Sequence, residues 1–198
     1  RLWYRFLHRR LIGKGVRVVT DSQFSRKELR KYCAGADSQM TIIPLGSEHI
    51  VRIAPDESVL KRHGLTAGGY VLTAGSLNPN KNLSALEVTA NRLAESGVPL
   101  VIAGGGNAQV FRSASLNFPR STRFLGYVSD GELRSLYQSA CCFVFPSKYE
   151  GFGLPPLEAM ACGCPVVCSN AASLPEVCGG AAEMLNPDHP EQIAEAVV

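Results

Sequence analysis

Short apolar runs alternate with amphipathic stretches along most of the chain. Seven runs are rich in apolar residues, and most are continuous rather than alternating, as expected of strands that are covered on both faces. The runs are VRVVT, MTIIP, YVLTA, PLVIAG, RFLG, CCFVFP and PVVCS. Because helical patterns lie between them, the sequence predicts an α/β fold built on a doubly wound parallel sheet.

Three segments have the features of helices. In residues 82–96, apolar side chains recur at spacings of three and four and would form one helix face. Residues 129–140 begin with Ser129 and Glu132 in the spacing of a capping box, and Asp188 and Glu191 repeat that spacing before the last helix. The side chains expected to face inward in the first two helices are Leu83, Leu86, Ala90, Leu93, Leu133, Leu136, Tyr137 and Ala140.

Residues 45–56 contain Gly and Pro, have no clear period and form our candidate hinge. The stretch that follows has the usual size of one domain, whereas at most a strand–helix–strand unit precedes it. We therefore predict that residues 1–50 are the tail of an amino-terminal domain with the hinge, and that residues 51–198 are a second domain, truncated at its carboxyl end. The chain does not begin with Met, so we expect it to be part of a longer protein.

Charge is distributed unevenly around a net value of +3. Residues 1–31 hold ten Lys and Arg and two acids, giving +8, and the remainder gives −5. A basic end suits an anionic membrane surface, and a solvated protein face explains it equally well. Residues 1–15 fit either an interfacial helix or an ordinary packing helix. No apolar run reaches the roughly 20 residues of a membrane span. The pattern of cysteines leads us to expect a cytoplasmic protein, with peripheral contact at the inner face of the membrane as the alternative.

The cysteines favour buried, reduced thiols, because their number is odd and their neighbours are apolar. They are Cys33, Cys141, Cys142, Cys162, Cys164, Cys168 and Cys178. The alternative is a zinc site made of the last four, which lack paired Cys-x-x-Cys spacing.

Residues 143–167 (FVFPSKYEGFGLPPLEAMACGCPVV) combine a strand end, a glycine turn and a helix start. Ligands of doubly wound sheets bind beyond the carboxyl ends of strands, and free amides at a helix start favour phosphate. Glu150 and Glu158 flank the turn, and we interpret them as acceptors for sugar hydroxyls. Alternatively, Glu150 is an ordinary surface residue and Glu158 is a first-turn residue that the helix dipole favours.

The segment SKYEGFGLPPLEAMACGCPVV resembles the signature of glycosyltransferase family 4, in which seven residues separate two glutamates. Other segments resemble this family in the same order: VVTDSQFSRKEL, MTIIPLG, LTAGSLNPNKN, FLGYVSDGELRSLYQSA and SLPEVCGGAAEMLNP. The resemblance covers nearly the whole chain from residue 16. It implies the GT-B fold of two Rossmann-like domains, with residues 51–198 as the donor-binding domain, and a retaining transfer of a hexose from a nucleoside-diphosphate sugar.

The resemblance also implies roles for individual residues. Glu150 would lie beside the donor sugar and the reacting face, and Glu158 would accept hydrogen bonds from the ribose. The segment with Tyr127 and Val128 would contact the base. Backbone amides of the turn would contact the sugar and the diphosphate; its residues are Gly151, Phe152, Gly153 and Leu154.

Lys81 matches the lysine that contacts the diphosphate in this family. Many relatives carry a second base nearby, at the positions that Ser76 and Asn80 occupy here, so Lys81 would be the only side-chain cation of this loop. Ser76 stays among the expected donor-binding residues. Lys81 and the helix amides would stabilise charge on the leaving diphosphate in place of a metal, and no Asp-x-Asp motif is present. We therefore expect no metal and no cofactor other than the donor, GDP-mannose or a UDP-sugar.

The SLNPNKN loop resembles bacterial mannosyltransferases of surface-polysaccharide assembly, so we expect mannose as the sugar and a saccharide or lipid-linked acceptor, with no nucleic acid as partner. Residues 103–107 (AGGGN) fit neither a P-loop nor a dinucleotide fingerprint, and we expect a tight turn near the nucleotide. Three alternatives stay open: a nucleotide-sugar epimerase, a phosphorylase-like enzyme, and a non-catalytic nucleotide-sugar-binding module. The sequence also leaves open whether Glu150 is a nucleophile or an electrostatic stabiliser, and we favour the second.

Overall fold

The computed structural model describes residues 3, 6, 10, 14–32, 37–105 and 116–198. Within them, a small parallel sheet pairs β1 (Val18–Thr20) with β2 (Met40–Ile42), and α1 (Gln23–Arg30) connects the two strands. This unit precedes the predicted hinge. The boundary between two domains stays a prediction, although the two sheets of the structure lie on either side of residues 45–56.

Among the described residues, the large sheet has six strands in the order β5–β4–β3–β6–β7–β8, and all neighbours are parallel. They are β3 (Val71–Ala74), β4 (Leu100–Ala103), β5 (Arg123–Gly126), β6 (Cys142–Phe145), β7 (Val166–Ser169) and β8 (Glu183–Leu185). The predicted α/β fold with a doubly wound parallel sheet is confirmed, and each of the seven predicted apolar runs contains a strand.

Helices cover both faces of the large sheet, and successive strand residues point to opposite faces. Leu72 and Phe143 pack in one core cluster, whereas Val71 and Val144 pack in the other. The remaining α-helices of the described residues are α2 (Glu48–Arg52), α3 (Ser58–His63), α4 (Leu86–Glu95), α5 (Asp130–Ser139), α6 (Leu154–Ala161), α7 (Leu174–Cys178) and α8 (Pro190–Val197).

The two predicted amphipathic helices bury the expected faces. In residues 82–96, two 3-10 turns, Pro79–Lys81 and Leu83–Ala85, precede α4, so the α-helical part begins later than predicted. The four predicted apolar residues of that segment are nevertheless at most 6% exposed. In α5, the capping box of Ser129 and Glu132 is present as predicted.

Three local predictions were incomplete or wrong. Strand β8 was missed because it has three residues and its first, Glu183, is exposed. Asp188 and Glu191 do not cap the last helix, because Pro190 has the fixed φ of a helix start and makes His189 the N-cap. Asp188 instead lies 2.5 Å from Lys148 Nζ. The hinge segment is not wholly irregular, since it contains α2. The interfacial helix that we considered for residues 1–15 lies mostly outside the described residues.

Candidate donor-binding site

The order in which strands are added to the large sheet reverses between β3 and β6. From β3 the chain proceeds outward through β4 and β5, and from β6 it proceeds the other way through β7 and β8. The loops that follow β3 and β6 therefore part at the carboxyl edge, and the crevice between such loops is where doubly wound sheets bind ligands. Residues 75–82 form one wall of this crevice and residues 146–153 form the other.

An ion pair joins the two walls. Lys81 Nζ lies 2.7 Å from Glu150 Oε1, and the two side chains are 23% and 15% exposed. Ser147 Oγ lies 2.6 Å from the same carboxylate oxygen. Lys81 Nζ is also 5.0 Å from the centre of the Phe145 ring, and its alkyl stem lies beside Gly75. The lysine is thus held at the carboxyl end of β6, facing the glycine turn.

Backbone contacts fix the loop that carries Lys81. Asn82 has a φ of 52°, and its Nδ2 donates to the Pro146 carbonyl at 3.2 Å and to the Pro187 carbonyl at 2.9 Å. The Lys148 amide donates to the Asn80 carbonyl at 2.8 Å. A left-handed backbone is one that Asn adopts more readily than most residues, so the sequence Lys81-Asn82 suits this sharp change of direction.

Hydroxyl groups orient the peptides of the turn between the two glutamates. Ser173 Oγ lies 2.7 Å from the Phe152 carbonyl oxygen and 3.0 Å from that of Glu150. Ser22 and Ser25 donate to the Gly151 carbonyl. In a planar trans peptide the carbonyl and the following N–H point in opposite directions. These contacts therefore set where the amides of residues 151–153 point, and oriented amides bind anions.

Only glycine fits at the end of the turn. Gly153 has a φ of 103°, in a region that other residues rarely adopt, and it forms the N-cap of α6. A Cβ at this position would lie 2.5 Å from Leu174 Cδ2. The close packing of Gly153 against α7 lets Leu154 and the two prolines that follow begin a helix directly behind the turn.

Glu158 lies in α6 and forms a second cluster. Its Oε1 is 2.7 Å from His49 Nε2, and Tyr137 donates its hydroxyl to Oε2 at 3.2 Å. Burial, followed by the charge of Glu158 and the hydrogen bond to it, raises the pKa of Tyr137 well above its ordinary value. Tyr137 consequently stays a donor at neutral pH. A carboxylate oxygen has two lone pairs, so each oxygen of Glu158 has one further lone pair that could accept a hydrogen bond from a hydroxyl of a ligand.

The remaining expected residues lie along the same edge of the sheet. Ser76 is exposed directly beyond β3, and the Asn78 amide is 3.4 Å from its hydroxyl. Tyr127 follows β5 and is 89% exposed, whereas Val128 packs against the core. Gly104, after β4, has a φ of 89° and lies so close to the β3 loop that a Cβ there would be 3.0 Å from the Gly75 carbonyl. The rest of the AGGGN prediction, residues 106 and 107, lies outside the described residues.

Sequence reasoning missed several residues that shape the site. No pattern in the sequence singles out His49, yet its Nε2 contacts Glu158, 109 positions away. Ser147 lies two residues after the end of β6 and Ser173 directly precedes α7, so their positions near strand and helix ends were the available signal. Their partners could not be inferred, because each contact depends on how separate loops meet.

The described cysteines are free, and burial raises the pKa of Cys142 to about 11 and that of Cys164 to about 12. In residues 14–32, 37–105 and 116–198, no three His, Cys, Asp or Glu side chains are grouped to hold a metal ion, and the four cysteines of the zinc alternative form no such group. Within the described positions, no helix has the length and apolarity needed to cross a membrane.

The described fold is that of a Rossmann-like α/β domain whose strand order reverses between β3 and β6. A family model described as Glycosyl transferases group 1 matches residues 68–198, and the chain belongs to this family. The predicted family membership is thereby confirmed.

Two curated relatives and two solved structures illustrate the similarity. O-antigen chain mannosyltransferase B of Escherichia coli is 39% identical over 192 residues, which cover 91% of this chain and 50% of that protein. A glycogen synthase of Mycobacterium tuberculosis is 36% identical over 169 residues, covering 83% of this chain and 40% of that protein. The chain thus spans half or less of each of these relatives.

The solved structures are below 25% identical and show the fold alone. Anabaena Alr3699/HepE in complex with UDP and glucose superposes with a TM-score of 0.76 at 21% identity, covering 91% of this chain and 52% of that one. A glycosyltransferase from Rickettsia africae superposes with a TM-score of 0.78 at 17% identity, covering 98% of this chain and 55% of that one. These neighbours share the GT-B fold that the sequence resemblance implied.

Proposed function

We propose that this chain carries the donor-binding part of a retaining glycosyltransferase. The enzyme would move a hexose from a nucleoside-diphosphate sugar to a saccharide or lipid-linked acceptor in surface-polysaccharide synthesis. We take mannose from GDP-mannose as the first choice, because the printed name of the E. coli relative is O-antigen chain mannosyltransferase B. A UDP-sugar is the second choice, since Alr3699/HepE was solved with UDP-glucose.

The observation that carries this proposal is the contact of Lys81 with Glu150 across the crevice, at 2.7 Å, beside the oriented turn. In glycosyl transfer the leaving diphosphate gains negative charge in the transition state. Lys81 and the amides of residues 151–153 would supply the opposing positive charge without a metal. Such donors are most effective when they are preorganised, and the contacts described above fix the loop that carries Lys81 and the turn that carries the amides.

Glu150 serves as an electrostatic stabiliser beside the sugar in this proposal. Its Oε1 already faces the Lys81 ammonium and the Ser147 hydroxyl. A carboxylate oxygen that two donors engage is a weaker nucleophile than a free one, which supports stabilisation over covalent attack. Glu158 would bind the ribose through the lone pairs that His49 and Tyr137 leave unused. Tyr127 and Val128 would lie at the base and Ser76 at the phosphates.

Residues 1–50 belong to the acceptor side in this proposal. The start of α1 contacts the Gly151 carbonyl, so the acceptor would reach the sugar next to the glycine turn. Enclosing the donor between two domains would exclude water and limit hydrolysis. The basic residues 1–31 would provide any contact with an anionic membrane.

A thermal-shift and calorimetric panel with GDP, UDP, GDP-mannose, UDP-glucose and AMP tests the proposal. We expect a nucleoside diphosphate to stabilise the chain, by an amount that grows with the logarithm of ligand concentration above Kd, and AMP to have a smaller effect. We also expect this chain alone to bind weakly and not to turn over, while the complete protein releases nucleoside diphosphate only with acceptor present. Absence of binding by every diphosphate, or efficient transfer by these 198 residues alone, would contradict the proposal.

A further inference from the structure

The start of α1, with its N-cap Ser22, contacts the glycine turn. Ser22 and Ser25 both donate to the Gly151 carbonyl, Ser25 at 3.0 Å, and Ser22 lies 129 positions from its partner. The Phe24 ring meets the Tyr149 ring edge-on, with centroids 5.2 Å apart. A carbonyl oxygen has two lone pairs, and the two serines engage both. The orientation of the Gly151 peptide therefore depends on the position of α1.

Glu176 binds the first amides of α1. Amides at a helix start have no partner inside the helix, and the first turn of α1 contains no acidic residue of its own. Glu176 Oε2 accepts from the Gln23 amide at 2.9 Å, and Oε1 accepts from the Phe24 amide at 2.8 Å. These hydrogen bonds are charge-assisted and are aligned with the helix dipole. A residue of α7 thus supplies the carboxylate that α1 lacks.

Residues 173–176, at the start of α7, contact both the glycine turn and α1. Ser173 contacts the carbonyls of Glu150 and Phe152, and Glu176, three residues later, contacts α1. The glycine turn is therefore held between the start of α7 on one side and the start of α1 on the other. Displacement of α1 would release the Gly151 carbonyl and, through the planar peptide, the amide of Phe152.

We propose that Glu176 is a positioning residue for glycosyl transfer, an inference that rests on the proposed function. It binds the start of α1, keeps Ser22 and Ser25 on the Gly151 carbonyl, and thereby fixes the Phe152 amide for the donor. Because Glu176 is exposed, water competes for its hydrogen bonds.

Amide hydrogen exchange in this chain measures the contact directly. Glu176→Ala removes both acceptors, and we expect the Gln23 and Phe24 amides to exchange about tenfold faster. Glu176→Gln keeps one uncharged acceptor oxygen and should give an intermediate rate. Glu195→Ala is the matched control, because Glu195 is an exposed helical glutamate on α8 and its replacement should leave both amides unchanged.

Binding and turnover separate positioning from a general structural effect. The Kd of the Glu176→Ala chain for the nucleoside diphosphate should stay within about twofold of wild type, since Glu176 is assigned no contact with the donor. In the complete protein, kcat should fall about tenfold at unchanged donor KM, with partial rescue in Glu176→Gln.

The outcomes distinguish the two proposals. If the wild-type chain binds no nucleoside diphosphate, the proposed function fails whatever the exchange rates are. If wild type binds and the exchange rates or kcat of Glu176→Ala equal those of Glu195→Ala, the positioning role of Glu176 is overturned. A rise in donor KM that accounts for the whole loss of activity would also overturn it.

Discussion

Replacement of Lys81 by Met separates a structural lysine from one that binds diphosphate. Methionine keeps an apolar stem beside Gly75 and Phe145 but removes the ammonium that lies 2.7 Å from Glu150. Hydrogen bonds to charged groups contribute about 1.5–3 kcal/mol. Because both side chains retain some exposure, we take the lower end, about 1.5 kcal/mol, as the expected loss of unfolding free energy.

The same substitution should weaken binding of a nucleoside diphosphate by about tenfold, which corresponds to one lost phosphate contact of about 1.4 kcal/mol. Glu150→Gln keeps an acceptor for Ser147 and removes the charge that competes for Lys81. We therefore expect it to strengthen binding of the free diphosphate, by about threefold. Urea unfolding measures the stability of each variant, and titration calorimetry measures its Kd.

The double variant decides the role of Lys81. Combining Lys81→Met with Glu150→Gln removes the unpaired carboxylate, so most of the lost stability should return, whereas binding should stay weak. Lys61→Met, at an exposed lysine of α3, is the control and should change neither quantity. If Lys81→Met loses stability but binds diphosphate like wild type, the lysine is structural and our reasoning about the crevice is refuted.

Two further substitutions test the other parts of the site. Glu158→Ala should weaken GDP binding about tenfold but change 2′,3′-dideoxy-GDP binding little, because the carboxylate acts on the ribose hydroxyls; equal losses for both ligands in calorimetry would contradict the ribose assignment. Gly153→Ala should lower the unfolding free energy by more than about 2 kcal/mol, because its Cβ would lie 2.5 Å from Leu174 Cδ2. Gly163→Ala, also at positive φ but with open space around it, should lose about 1 kcal/mol, and similar urea midpoints for the two variants would argue against crowding at Gly153.

Strand positions were predictable from the sequence because strands buried on both faces are continuous apolar runs. Phe143 and Val144 are both buried although they point to opposite faces, and such runs need no knowledge of neighbours to be recognised. β8 lacks this signal, since Glu183 is exposed and the strand is short. The start of α8 was misjudged because the spacing of Asp188 and Glu191 resembled a capping box, while Pro190 sets the helix start.

The two glutamates and the lysine were singled out by motif, and the structure brings Lys81 and Glu150 into contact. What the sequence could not reveal are the supporting contacts from distant segments. His49 on Glu158, and Glu176 on the amides of α1, depend on packing between loops that are far apart in the chain. Residue spacing carries no information on such contacts.

A crystal structure of this chain with a bound nucleoside diphosphate tests the central claim most directly. The account predicts diphosphate oxygens within hydrogen-bond distance of Lys81 Nζ and of the amides in the 151–153 turn, with the ribose hydroxyls at Glu158. A ligand bound elsewhere on the molecule, with Lys81 still paired only to Glu150, would contradict it.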